Sequence, residues 1–226
     1  MDKLMLELAN IKDESSDKEL SKKVNRLYRL LPNDDDQVID TCNNLMKDYK
    51  WKTFYFVITW IKKRQLYKLK YFTIYERWLY KYVNSWGSCD VFCYRVLNPM
   101  IEKYPKLYNK LLKWARSRKV YVRRAAAVAM IQSTNNVVIV DNKKIIYGFK
   151  VTQDFNKISE ICDILKDDRH IHVQKGIGWL LKYAYITYPD EVIKYLKANV
   201  HNLSRTTFRY ALEKMPAVLK KELMEL

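Results

Sequence analysis

Tyr121-Val-Arg-Arg-Ala-Ala-Ala-Val-Ala-Met-Ile131 reads as an alanine-rich helix with an apolar stripe. Thirty-five residues upstream, Trp86-Gly-Ser-Cys-Asp-Val-Phe-Cys-Tyr-Arg-Val-Leu97 reads the same way, and thirty-five before that so does Trp51-Lys-Thr-Phe-Tyr-Phe-Val-Ile-Thr-Trp-Ile61. A helix recurring at such a period signals stacked helix pairs, because one pair is too small to bury its own apolar face and needs the next. The fourth copy, His172-Val-Gln-Lys-Gly-Ile-Gly-Trp-Leu-Leu181, follows Tyr121 by 51 residues, so about 16 are inserted. The insertion is visible. Asn136-Val-Val-Ile-Val140 and Lys144-Ile-Ile-Tyr-Gly-Phe-Lys-Val151 are β-branched runs around Asp141-Asn-Lys143, and they predict a β-hairpin over 136–151. A lone hairpin does not support itself, so it must pack on the scaffold, on a ligand, or on both.

The remaining composition agrees with an all-α chain. With 226 residues, 49% apolar and 14% aromatic, there is ample material for a core, which excludes general disorder. Four Gly and five Pro are too few for a sandwich or barrel of many tight turns. No Pro/Gly-rich or low-complexity linker interrupts the chain, and residues 1–226 read as one continuous domain. No apolar run approaches a membrane span, and the opening Met1-Asp-Lys-Leu-Met-Leu-Glu-Leu8 reads as an amphipathic helix start rather than a signal peptide. A cytoplasmic monomer is expected, without membrane attachment. Cys42, Cys89, Cys93 and Cys162 have no C-x-x-C spacing and read as buried thiols. His170 and His172 read as surface histidines, and no metal site is expected.

Charge speaks about partners. The formal net charge is +17, and it is uneven: residues 1–50 carry 9 basic and 11 acidic side chains, leaving 33 against 14 for the rest. The positive groups cluster on repeat helices: Lys62, Lys63, Arg64, Lys68 and Lys70, then Arg116, Arg118, Lys119, Arg123 and Arg124, then Lys175, Lys182, Arg205 and Arg209. The hairpin adds Lys143, Lys144 and Lys150. Interleaved with aromatic side chains on a curved repeat array, such groups would track a phosphate backbone. A solvated basic surface and anionic lipid are the alternatives.

Ser85-Trp-Gly-Ser-Cys-Asp90, Val120-Tyr-Val-Arg-Arg-Ala-Ala-Ala127 and Val173-Gln-Lys-Gly-Ile-Gly-Trp-Leu-Leu181, in this order, resemble the AlkD-type DNA alkylation repair proteins over residues 20–215. The resemblance implies a HEAT-like superhelix whose basic concave face cradles duplex DNA. In catalytic members it implies excision of N3- or N7-alkylated purines with no cofactor. By motif, Trp86 and Asp90 correspond to the family's Trp and carboxylate, Arg124 to its backbone-contacting Arg, and Trp179 to its second Trp. Trp86 and Asp90 stand four apart and share a helical face. A carboxylate there could stabilise oxocarbenium character as the glycosidic bond breaks, with indole faces favouring cationic character. Each residue also has a plainer role open to it: a helix-terminal or ion-paired Asp90, core-packed Trp86 and Trp179, and an Arg124 paired with a carboxylate of the neighbouring repeat. Gly176 and Gly178, unfavourable inside a helix, point to close packing of helices or a close approach of backbone.

Two departures argue against excision. Gly87-Ser88-Cys89 separates Trp86 from Asp90 without a second acidic residue, and Asp34 to Asp36 puts negative charge where a phosphate-facing helix start belongs. The hairpin resembles the feature of AlkF/AlkG-type members, a subgroup associated with branched DNA. The reading is thus a HEAT-like repeat protein that recognises damaged or branched DNA, Holliday junctions included, by shape and backbone contacts. Trp86, Arg123, Arg124, Lys143, Lys144, Lys150, Lys175, Trp179, Arg205 and Arg209 would contact DNA, in a bacterial cytoplasm and on the nucleoid when bound. The alternative is a 3-methyladenine/7-methylguanine DNA glycosylase with Asp90 as catalytic carboxylate, and a protein-binding solenoid is a third reading.

Overall fold

The computed structural model describes residues 2–9, 17–48, 50–140 and 143–226; over 135–147 it describes at most backbone. Helices dominate, and β1 (Ile131–Val140) with β2 (Lys143–Val151) forms the one sheet among the described residues, an antiparallel hairpin. The chain divides into two compact units, Met1–Tyr82 and Val83–Leu226. Hydrogen bonds between helices recur at one repeat's separation: Trp60 Nε1 to the Val24 carbonyl, Trp78 Nε1 to Asn43 Oδ1, Arg124 to Asp90 and Thr207 Oγ1 to the Gln174 carbonyl span 36, 35, 34 and 33 residues. Within each unit, successive repeats therefore present equivalent faces to one another.

The first unit holds α1 (Asp2–Ala9), α2 (Asp17–Tyr28), α3 (Asp35–Leu45), α4 (Trp51–Arg64) and α5 (Phe72–Tyr82). Phe54, Phe56, Ile58, Trp60, Ile61, Tyr75 and Trp78 are buried in its core. Asp34 caps α3 by accepting from the Gln37 N–H, and Asp35 and Asp36 lie in the first turn, where the helix dipole favours carboxylates. These acids also occupy the first basic cluster. Arg64 and Lys68 each pair with Asp35 at 2.7 Å, and Lys70 pairs with Asp36 at 2.6 Å. Lys68 and Arg64 hold the Asp35 carboxyl below its usual value. Three of the five charges in this cluster are thus matched internally.

Helix α4 ends on Gln65, whose φ of 53° and ψ of 45° place a residue with a Cβ in the left-handed region. Gln65→Gly is expected to stabilise the protein by about 0.5–1 kcal/mol, since glycine adopts this cap without the side-chain penalty but loses more chain entropy. A shift of the urea midpoint upward at unchanged slope is the check.

The second unit holds α6 (Trp86–Phe92), α7 (Asn98–Lys103), α8 (Tyr108–Ala115), α9 (Val120–Val128), the hairpin, α10 (Phe155–Leu165), α11 (Ile171–Thr187), α12 (Pro189–Ala198), α13 (Arg205–Ala211) and α14 (Ala217–Met224). Between α6 and α7 the helix does not stop but widens into a π-turn over Cys93–Leu97, where the Asn98 N–H reaches back to the Cys93 carbonyl. Pro99 explains the widening: its ring would strike the carbonyl four residues back, at Arg95, in a regular α-helix. Helix α11 is the hub, packing on α9, α10, α12, α13 and β2.

The hairpin is longer than the 136–151 expected from sequence. Ile131, read as the end of a helix, opens β1 and pairs with Val151, while α9 ends at Val128. Both residues are buried, so pairing and burial together override the helical pattern. Two residues of β1, Thr134 and Asn135, oppose Gly148 alone, a bulge in the ladder. Asn98 Nδ2 donates to the Ala129 carbonyl and to Thr152 Oγ1, both at 2.9 Å, and anchors the hairpin's base to the helices. The turn residues Asp141 and Asn142 lie outside the described residues, as do the side chains of Lys143 and Lys144. All four cysteines are free and buried, as the spacing implied, and burial pushes the Cys42 thiol up to about 12.

Candidate nucleic-acid interface

Helix α6 begins with a reciprocal cap: Ser85 Oγ accepts from the Ser88 N–H at 3.1 Å, and Ser88 Oγ accepts from the Ser85 N–H at 3.1 Å. The cap sets the first turn. Cys89, Phe92 and Cys93 then face the core, Trp86 stands 58% exposed at the helix start, and Asp90, one turn on, is 8% exposed. Arg124 of α9 meets Asp90 with a fork, Nε to Oδ1 and Nη2 to Oδ2, both at 2.8 Å. Its remaining Nη1 donates to the His172 carbonyl at the start of α11. One guanidinium therefore ties three repeat helices together in a nearly dry setting, at 5% exposure.

Two glycines of α11 make the arrangement possible. A Cβ on Gly176 would lie 3.3 Å from Arg124 Cγ and 3.4 Å from its Nη1, so the bare backbone opens the channel along which Arg124 reaches Asp90. A Cβ on Gly178 would lie 2.4 Å from Tyr210 Cβ and 2.7 Å from the Thr207 carbonyl oxygen, so α13 approaches α11 more closely than any side chain permits. Gly178 realises the close approach expected of these glycines from sequence, whereas Gly176 makes room for the Arg124 side chain, which the sequence did not indicate.

The outcome is an open pocket of about 440 Å³ lined by Trp86, Asp90, Arg124, His172, Lys175, Trp179, Lys182 and Tyr210. The Asp90–Arg124 pair forms part of its lining, with aromatic rings and cations around it. Lys175 Nζ stands over the Tyr210 ring at 5.6 Å, and Lys182 pairs with Glu213 at 2.5 Å. A neighbouring hollow shares Lys175 and Tyr210 and adds Thr206, Arg209 and Glu213.

The sequence-derived residues thus separate. Trp86, Asp90, Arg124, Lys175 and Trp179 come together in the pocket, and Arg209 lies beside it. Arg205 is exposed at the start of α13, and Lys150 is exposed near the base of β2; neither lines the pocket. Arg123 is engaged within the protein: it pairs with Asp168 and donates to the Ser117 and Arg118 carbonyls, bracing α9 against the segment before α11. Of the roles left open for Arg124, the ion pair with a neighbouring repeat is the one the geometry displays. His172, read from sequence as a surface histidine, lines the pocket, and so does Tyr210, which the sequence reading did not single out. His172 carried a faint signal, one helical turn before Gly176, whereas Tyr210 reaches the pocket only because Gly178 lets α13 close in.

Burial pushes the Asp90 carboxyl above its usual value, and the Arg124 bonds offset this only in part. His172 moves the other way: burial first, then the charge of Arg124, hold its imidazole below the ordinary histidine value. Its contribution to stability is therefore full above the unfolded-state pKa and is lost as pH falls through the lower folded value. An NMR titration is expected to place the His172 midpoint below that of unfolded histidine; a midpoint at or above it would contradict this environment. Among the described residues no group of three or more His, Cys, Asp or Glu side chains is placed to hold a metal, and no helix is long and apolar enough to cross a membrane.

Helical repeats that carry an aromatic and cationic pocket around a buried ion pair define a class of αα-repeat protein with one inserted hairpin. The chain belongs to the DNA alkylation repair enzyme family, whose model matches residues 16–215. Among solved structures it is similar to a predicted DNA alkylation repair enzyme from Enterococcus faecalis, with a TM-score of 0.69 at 13% identity, over 89% of this chain and 87% of that one. It is also similar to AlkD2 from Streptococcus mutans, with a TM-score of 0.58 at 19% identity, over 90% and 92%. At such identities the likeness concerns the fold. No curated protein matches the chain in sequence.

Proposed function

We propose that this protein binds DNA through the face carrying the Trp86–Trp179 pocket and recognises damaged or branched DNA by shape and backbone contacts, without excising a base. The observation that carries this reading is the state of Asp90. Both carboxylate oxygens accept from Arg124 at 2.8 Å, so a guanidinium already neutralises the group that would have to stabilise an oxocarbenium ion. An ion-paired carboxylate presents little net field to a second cation. Family membership supports DNA as the partner, and the excess of 33 basic over 14 acidic side chains beyond residue 50 supports a polyanion. The protein would act as a monomer in the bacterial cytoplasm, nucleoid-associated when bound.

One observation favours the second reading, excision of N3- or N7-alkylated purines: Trp86 stands exposed one turn before Asp90 in the same pocket, as the resemblance to catalytic members requires. The deciding experiment is a single-turnover assay on duplex DNA carrying 7-methylguanine, with four-way junction and matched linear duplex titrated in parallel. Junction binding without base release is expected; Asp90-dependent release would overturn the non-excising reading. Lys175→Ala and Arg209→Ala are each expected to flatten the salt dependence of binding by about 0.9 log unit per log unit of salt, the share of one phosphate contact. An unchanged slope would remove the residue from the interface.

A further inference from the structure

Phe149 brings the hairpin against a residue of the pocket, Trp179. Phe149, the β2 residue paired with Ser133, lies between three aromatic rings of the helices. It meets Trp179 edge-on at 5.2 Å and 75°, Tyr183 at 5.5 Å and 56°, and Tyr94 edge-on at 5.8 Å and 67°. Trp179 lines the pocket; Phe149 does not, but it packs against the indole. Tyr183 also packs against Trp179, at 6.3 Å and 67°, so the indole is gripped by one ring from its own helix and one from the hairpin. Edge-to-face contacts of this kind are directional, because the positive ring edge seeks the negative face, and they fix orientation as well as bury area. The backbone around Phe149 is itself held: the bulge opposite Gly148 lies just beyond it, and Asn98 and Thr152 anchor the hairpin's base.

We propose that Phe149 is a positioning residue of the pocket: it orients the Trp179 indole, so the base of the hairpin is structurally part of the site. Any displacement of the hairpin by a bound nucleic acid would then change the aromatic wall that the same nucleic acid meets. The indole's orientation can be read in the free protein, whereas the consequence for binding rests on the DNA-binding function proposed above.

The test uses the full chain labelled with 5-fluorotryptophan, the Trp179 resonance being assigned by its loss in Trp179→Phe. Phe149→Ala is expected to shift or broaden that resonance while Trp60 and Trp78, in the other compact unit, keep theirs. Phe149→Leu, which retains apolar volume and guards against an alanine variant that fails to fold, is expected to shift the Trp179 resonance as well, because it lacks a ring edge. On a four-way junction, Phe149→Ala is expected to weaken binding about tenfold, and to add little further loss in the Trp179→Phe background, since the two residues act through one contact. An unmoved Trp179 resonance in both Phe149 variants would overturn the proposal, and so would losses in binding that simply add. Failure of the wild-type protein to bind any DNA would instead overturn the function proposed above and leave the resonance test standing.

Discussion

Arg124→Ala is expected to destabilise the protein by about 3–5 kcal/mol, because it strips the partner from a carboxylate buried among three helices. Asp90 is 8% exposed, and both its oxygens are engaged by the guanidinium. The His172 carbonyl at the start of α11 loses its donor in the same substitution. Because burial already raises the Asp90 pKa, the orphaned group would take up a proton more readily than a free aspartate, and the deficit is expected to shrink as pH falls toward the carboxylate range. Asp90→Leu combined with Arg124→Met is expected to recover most of the loss, since an apolar pair of similar volume leaves no charge to solvate. Urea unfolding of the three proteins checks this, and a cost for Arg124→Ala below about 1 kcal/mol would mean that the pair behaves as a solvated surface bridge. The salt slope of DNA binding supplies a second discriminator: with its charge matched internally, Arg124 should contribute less than one phosphate's worth of slope.

Gly178→Ala is the second large effect. The new methyl would fall 2.7 Å from a backbone oxygen of α13 and 2.4 Å from Tyr210 Cβ, and neither is the far end of a flexible side chain. Helix α13 must therefore move away from α11, at a cost of about 3 kcal/mol, and melting should drop by roughly 6–12 °C. The displacement carries Tyr210 and Arg209 with it, so DNA binding should weaken even where the variant remains folded. Gly176→Ala is the internal comparison. Its Cβ would press on a side chain at 3.3 Å rather than on backbone, and a smaller loss is expected. Equal losses at the two positions, or none at Gly178, would contradict the helix contact described here.

Much of the architecture could be read directly from residue spacing. The recurrence of helices at Trp51, Trp86 and Tyr121 follows from the period, since each copy must bury its stripe against the next. The hairpin was legible because an insertion breaks that period and its residues change from helical to β-branched composition. Its true start at Ile131 was not, because an apolar residue after Ala126, Ala127 and Ala129 satisfies a helix equally well until its strand partner Val151 is known. Trp86 and Asp90 could be placed on one face by their four-residue spacing, and Gly176 and Gly178 could be marked as points of close approach by their cost within a helix.

What the spacing could not decide was which charge meets which. Arg123 and Arg124 are adjacent and chemically identical, yet one braces Asp168 and the other forks onto Asp90. The basic cluster around Lys68 looked available to a phosphate until the turn at Asp35 and Asp36 was seen to reach it. Helical periodicity is a local property, set by which side of its own axis a residue occupies, and one sequence carries it completely. Ion pairing and ring packing between residues 30 or more apart depend on how closely two helices approach, and that distance is set by side chains on both. The sequence alone therefore determined the repeats, the insertion and the residues capable of chemistry; the tertiary structure alone decided that Asp90 is matched by Arg124 and that Phe149 packs edge-on against Trp179.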